Sequence, residues 1–354
     1  MSSAIYSDAT VTGPTLESNT TVVPVRNSFH LSNAYLITKY VVFFNEAFLV
    51  VAGNIFTLIA VKRTKKLRQV PANTYIVSLA IADGMIGLLL PGTLLSSRTS
   101  SQTIWITLAC LVRGPYYGAF SASLFTLLAI ALDRYAAVIH PLNYKMRMTT
   151  NIALIVCVFI WIMQFVLWES ITCYYGSLIN VSKYIPAAAQ DIFPKKVVFL
   201  LTQIEILLPI AGNVVLYIFI YIKLRSRRAV IFASSGNNQT ATSECRSSAK
   251  ARTFTKMMAF VLGYLILAWL PYYIIAPIHK VNDPSTPAWF VYLYDVVAFL
   301  FHSNSLINPI IYNWQNRDFR DAYAKILGCR RRAAPTGNST SVSNRTQIVH
   351  SSSL

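Results

Sequence analysis

The run YIVSLAIADGMIGLLLP, from Tyr75 to Pro91, is apolar almost throughout and carries one carboxylate, Asp83, at its centre. A hydrocarbon layer about 30 Å thick is crossed by about 20 mostly apolar helical residues, and with its flanks this run (74–96) is long enough. A lone acid at the middle of a membrane helix is disfavoured by about 2.5 to 3.5 kcal/mol on insertion scales, so it faces a protein interior and has partners there. Six further apolar runs of similar length lie near 40–61, 104–134, 151–173, 196–223, 255–279 and 288–312. The half-polar, period-two pattern of a membrane barrel is missing from them. The expected fold class is an all-α membrane protein: a seven-transmembrane helix bundle, followed by a short amphipathic helix over 316–327.

Composition agrees, because a 354-residue chain with 55% hydrophobic residues and mean hydropathy +0.48 is too apolar for an ordinary soluble two-domain protein. Cations concentrate on alternate loops, with Lys62, Arg63, Lys65, Lys66 and Arg68 in the first and Arg225, Arg227, Arg228, Lys250, Arg252 and Lys256 around the third. The rich side is cytoplasmic, which puts the N-terminus outside the cell. The net charge of +18 therefore reads as topology and attraction to anionic inner-leaflet lipid. Nucleic acid is not an expected partner, since the charges are split among loops.

Residues 1–37 are rich in Ser, Thr and Asn and are expected to form a disordered extracellular segment. They show no removable signal peptide, so the first span serves as the insertion signal. The seven-span membrane domain is expected over 38–328, with a cytoplasmic tail over 329–354. Asn19 and Asn180 begin glycosylation sequons on the outer side; Asn238, Asn338 and Asn344 match the same pattern on the inner side, which shows how permissive it is. Cys157 reads as packing. Cys110 and Cys173 both face the oxidising side, where a bridge between them is one reading, although sequence does not set connectivity. Cys329, beside Arg330, Arg331 and Arg332, suits a palmitoyl anchor or an unmodified surface thiol.

Polar residues inside the spans fall in register. Tyr116, Phe120, Ser123, Leu127, Ile130 and Arg134 follow one another at four- and three-residue steps, one face of the third helix. His302, Ser305 and Asn308 form a similar row in the seventh, with Asn304 one turn before Asn308. Pro309 weakens the helical ladder behind Asn308.

These residues and others in order along the chain resemble the rhodopsin-like, class A G-protein-coupled receptors over roughly residues 40–328. The matching motifs are Gly53-Asn54, Leu79-Ala80 with Ala82-Asp83, Asp133-Arg134-Tyr135 followed by Pro141-Leu142, Trp161, Pro209 with Tyr217, Trp269-Leu270-Pro271, and Asn308-Pro309-Ile310-Ile311-Tyr312 followed by Asp318-Phe319-Arg320. The resemblance implies an outer ligand that shifts an equilibrium between inactive and active helix arrangements. It places Trp269 beneath the ligand, a kink at Pro271, and a regrouping of Arg134, Tyr217 and Tyr312 at a cytoplasmic face that receives a heterotrimeric G protein. It also implies that Asn54, Ser123, Asn304, Ser305 and Asn308 converge on Asp83 as an oxygen-rich site for an allosteric sodium ion, a hard cation. The competing readings are packing for Trp269, snorkelling for Arg134 and a structural hydrogen bonder for Asp83.

Three departures from the family pattern stand out. The carboxylate that often locks the third-span Arg from the sixth helix is replaced by Ala251, which leads us to expect appreciable basal signalling. The Phe usual one turn before Trp269 is Leu265. Cys110 lies one residue closer to Arg134 than is customary.

Expected ligand-binding residues are Tyr116, Tyr117, Phe120, Glu205, Trp269, Tyr272, Tyr273, Asp295 and His302, an aromatic wall with a few polar groups that suits a small molecule or short peptide. The third-span Asp of amine receptors is Tyr116 here, which disfavours an ordinary amine receptor. Glu205 either meets a cationic group or is hydrogen-bonded inside the bundle. The seventh span has no Lys to hold retinal. His302-Ser303-Asn304-Ser305 is similar to adenosine receptors, yet the purine-holding Asn of that family is Ala276, so adenosine is the second reading and an interhelical role for His302 an equal one. A transporter would show inverted repeats, and an enzyme would need a metal or nucleophile cluster; neither pattern is found, and no cofactor is expected. Ser and Thr residues of 335–353 suit phosphorylation by a receptor kinase and arrestin binding, and Ser352-Ser353-Leu354 a PDZ domain.

Overall fold

In a computed structural model of the chain, the described residues are 32–96, 101–178, 194–234, 259–276 and 287–328, and all their regular structure is helical. Six helices are long and apolar enough to cross a membrane, and a shorter apolar one, Ala259–Ile275, lies in sequence between the fifth and the last. The first span is Asn33–Arg63, the second Ala72–Ser96, the third Gln102–Ile139 and the fourth Thr150–Ser177. The fifth is assembled from Lys195–Leu201, Thr202–Leu207 and Leu208–Ser234. Ala259–Ile275 is the sixth and Ala288–Gln315 the seventh. Asn19, Asn180, Ala251, Cys329 and the terminal Ser/Thr cluster lie outside the described residues.

Helix ends follow local chemistry. Ser32 and Thr149 accept backbone N–H groups of Tyr35 and Ile152 at 3.2 and 3.3 Å, satisfying donors that the first turn leaves unpaired. Lys62 and Arg63 occupy the last turn of the first span, where they oppose the negative end of the helix dipole. Asn316 ends the seventh span in extended backbone and caps the next helix, Arg317–Ile326, through Oδ1 to Asp318 N at 3.0 Å.

The bundle is inverted relative to a water-soluble protein. Phe48, Leu88, Ile155 and Leu267 point outward, whereas Asn54, Asp83, Ser123, Asn304, Ser305 and Asn308 are buried. Lipid solvates the former, and the latter must pair with each other. The third span packs against the second, fourth and fifth, and the first lies against the second and seventh. Two hydrogen bonds pin this centre: Trp161 Nε1 donates to Ser78 Oγ at 2.9 Å, and Trp168 Nε1 donates to Ser121 Oγ at 2.8 Å. Gly87 lets the first two spans touch, since a Cβ there would lie 2.9 Å from Val50 Cγ1 and 3.0 Å from the Ala47 carbonyl oxygen.

The helix after the seventh span buries Phe319, Ala322 and Tyr323 and leaves Arg317 outward. Tyr312 packs on Phe319 with ring centroids 5.5 Å apart. Tyr323 shares a 2.8 Å hydrogen bond with Thr57 Oγ1, and its phenol is pushed up to about 12 by burial. Those contacts hold an amphipathic helix against the base of the first span.

Candidate functional site

Polar groups of the second, third and seventh spans meet at Asp83, which is fully buried. Ser123 Oγ donates to Asp83 Oδ1 at 3.1 Å, and Asn308 Nδ2 donates to Asp83 Oδ2 at 2.7 Å. Ser305 faces the same carboxylate, while its backbone oxygen accepts from Asn54 Nδ2 at 3.0 Å. Of the five neighbours expected from the sequence, Ser123 and Asn308 bond the carboxylate directly, Asn54 bonds the backbone of Ser305, and Asn304 is buried one turn from Asn308. The Oδ1 atoms of Asn54, Asn304 and Asn308 have no hydrogen-bond partner among the described residues. Buried oxygens without donors, gathered around a carboxylate, fit a small hard cation.

Farther out in the bundle the lining turns aromatic. Tyr116 Oη lies 2.5 Å from His302 Nε2, joining the third and seventh spans. Phe120 packs edge-on to Trp269 at 5.8 Å and stacks on Phe301 at 4.7 Å. Trp269 stacks with Tyr273, Tyr272 stacks with Phe301, and Tyr117 packs on Trp168. Seven of the expected ligand residues, namely Tyr116, Tyr117, Phe120, Trp269, Tyr272, Tyr273 and His302, therefore form one aromatic cluster across three helices. Phe301, at its centre, has no distinguishing mark in the sequence. Trp269 Nε1 is a buried donor without a partner among the described residues.

Two expected ligand residues are placed differently. Asp295 accepts from Tyr35 Oη at 2.6 Å and from Lys39 Nζ at 2.7 Å, so it ties the seventh span to the first. Glu205 lies in a π-helical turn, Thr202–Leu207, and is buried against Ser121 and Gln164. Its Oε2 has no hydrogen-bond partner among the described residues. A second π-helical turn, Ala109–Arg113, contains Cys110. It sits where the sequence is one residue short, and Cys110 is bonded to Cys173 with Cα atoms 4.9 Å apart. Such turns re-aim one side chain without breaking the helix and leave no signal in a 3.6-residue pattern.

At the opposite end Arg134 pairs with its neighbour Asp133. Tyr144, in the short helix Pro141–Arg147, donates to Asp133 Oδ1 at 2.8 Å and accepts from Arg134 at 3.2 Å. Tyr135 faces Phe219 edge-on at 6.5 Å. Tyr217 and Tyr312 are buried, and Pro271 and Pro309 lie within the sixth and seventh helices.

These features belong to one class of membrane protein, and comparison with known sequences identifies it. Residues 53–312 match the family described as 7 transmembrane receptor (rhodopsin family), and the chain belongs to it. It is 28% identical over 320 residues to trace amine-associated receptor 13c of Danio rerio, covering 86% of this chain and 89% of that receptor. It is 26% identical over 333 residues to the thyrotropin-releasing hormone receptor of Mus musculus, covering 85% and 82%, and 28% identical over 300 residues to adenosine receptor A2b of Mus musculus, covering 79% and 87%. The family is one of multi-pass membrane receptors, not enzymes. Near-equal identities to receptors named for trace amines, thyrotropin-releasing hormone and adenosine leave the ligand class to this chain's own residues.

Proposed function

We propose that the protein is a plasma-membrane receptor, N-terminus outside, that binds a small extracellular ligand in the outer half of the bundle and activates a heterotrimeric G protein on the cytoplasmic side. The observation that carries this reading is the aromatic cluster around Phe120, Trp269 and Phe301, in which Trp269 Nε1 is a buried donor without a partner among the described residues. The wall includes Tyr116, Tyr117, Tyr272, Tyr273 and His302, with Glu205 and Asp295 at its margins. Ligand binding that moves Trp269 is transmitted along the seventh span to Pro309 and Tyr312, and through the third to Asp133, Arg134, Tyr135 and Tyr217. A bound agonist then shifts the population by its preference for the open cytoplasmic arrangement.

Sodium, where bound, supplies a positive charge that offsets the Asp83 carboxylate and favours the inactive arrangement. Asp83, Ser123, Asn304, Ser305 and Asn308 are the residues that would hold it. Asp133 and Tyr144 are the groups that hold Arg134, and without a sixth-helix acid at Ala251 to add to them basal exchange is appreciable. Glycans on Asn19 and Asn180, a palmitoyl group on Cys329, phosphorylation of the tail with arrestin recruitment, and a PDZ partner at Leu354 complete the proposal.

A panel of adenosine, amines, indoles and short peptides, screened in cells by G-protein activation, tests it. An agonist whose response disappears in Phe120→Ala at unchanged surface expression supports the reading. An agonist indifferent to Phe120, Trp269 and His302 substitutions moves the ligand elsewhere.

A further inference from the structure

Glu46 lies midway along the first span, 2% exposed, and neither of its carboxylate oxygens has a hydrogen-bond partner among the described residues. A buried acid in this condition is among the costliest arrangements a membrane helix can hold. Its surroundings are specific. Phe43, one turn outward on the same helix face, meets the His302 ring edge-on at 5.8 Å, and Glu46 is within electrostatic reach of Tyr116. The acid therefore lies one turn inward of the Phe43 contact with His302. Tyr116 occupies the position where amine receptors carry their third-span Asp.

Two cations of the outer half are committed elsewhere. Lys39 is paired with Asp295, and Arg113 lies over the Trp105 ring at 4.7 Å while donating to Ser96 Oγ at 2.7 Å. An inorganic ion is a poor match, because a hard cation asks for several oxygens, whereas the contact one turn outward from Glu46 is the Phe43 ring on His302. An organic ammonium satisfies both parts of the environment: it donates to the carboxylate and rests against aromatic faces. We propose that Glu46 is the counter-ion for the ammonium group of an aryl-alkyl amine, with the amine's ring in the cluster of Phe120, Trp269 and Phe301. The acid that recognises the amine has in effect been moved from the third span to the first.

This inference rests on the outer half of the bundle being the ligand site, and the experiment separates the two. The full-length receptor in nanodiscs is titrated with 2-phenylethylamine and tryptamine, and with 2-phenylethanol as the uncharged match, following thermal stabilisation; nucleotide exchange on added G protein is read in parallel. Saturable stabilisation by an amine and none by the alcohol, weakened about tenfold or more in Glu46→Gln and retained in Asp321→Asn on the membrane-surface helix, is the expected result. Glu46→Asp keeps the charge and should retain a weakened response, which guards against a Gln variant that merely misfolds. Stabilisation unchanged in Glu46→Gln, or lost instead in Glu205→Gln, overturns the assignment, as does failure of both amines to stabilise the parent at millimolar concentration. In each of those cases continued exchange on the G protein leaves the receptor reading standing.

Discussion

Asn308 Nδ2 donates to Asp83 Oδ2 across 2.7 Å, so the residue before the Pro309 break is tied to the carboxylate at the centre of the second span. Any motion of the seventh helix at Pro309 must strain or remake that bond. Along the third and seventh spans the Asp83 network lies between the aromatic cluster and Arg134 and Tyr312.

Sodium should weaken agonist binding, and Asp83→Asn should abolish the dependence. The measurement is agonist affinity in membranes with sodium replaced by an equal concentration of a bulky organic cation. Parent affinity that ignores the exchange returns Asp83 to a purely structural hydrogen-bonding role.

Tyr116→Phe removes the bond to His302 and leaves a buried ring nitrogen without its partner. A loss of about 1 to 3 kcal/mol is expected for a buried group stranded in this way. Thermal unfolding of purified receptor should show it as a lower midpoint, and a compensating His302→Phe in the same chain should recover part of the loss.

Gly87→Val should destabilise the contact between the first two spans. The added Cβ meets Val50 at 2.9 Å and a backbone oxygen of Ala47 at 3.0 Å, and the backbone cannot retreat as a side-chain tip can. Overpacking of this kind costs about 1 to 3 kcal/mol, to be read as reduced thermal stability, with Gly87→Ala milder.

Tyr323→Phe breaks the hydrogen bond to Thr57 that pins the membrane-surface helix to the first span. A stability loss of about 1 kcal/mol is expected. Faster hydrogen exchange confined to 317–326 would show that the helix has loosened locally.

Much of the site was legible because its residues obey helix periodicity. The stripe from Tyr116 through Ser123 to Ile130 is buried along the third span, whereas the Asp83 partners follow from the resemblance to the receptor family. What escaped is pairwise and distant. Asp295 and Lys39 are 256 residues apart, and no pattern within either helix marks them as partners. Glu46 looks, in sequence, like one polar residue in an apolar run, and only the position of Phe43 against His302 gives it a setting. The π-helical turns around Cys110 and Glu205 change which way a side chain points without changing composition. Tyr144 is a loop residue until Asp133 is seen to accept from it.

The central claim, a receptor that drives nucleotide exchange through its cytoplasmic face, is tested most directly without any ligand. Purified full-length receptor is placed in lipid vesicles with purified heterotrimeric G protein, and guanine-nucleotide exchange is timed against empty vesicles. Because Ala251 replaces the usual sixth-helix acid, exchange should be faster with receptor present, and Arg134→Ala should return it to the empty-vesicle rate. Exchange at the empty-vesicle rate across the G-protein subtypes, with agonist found or not, would contradict it.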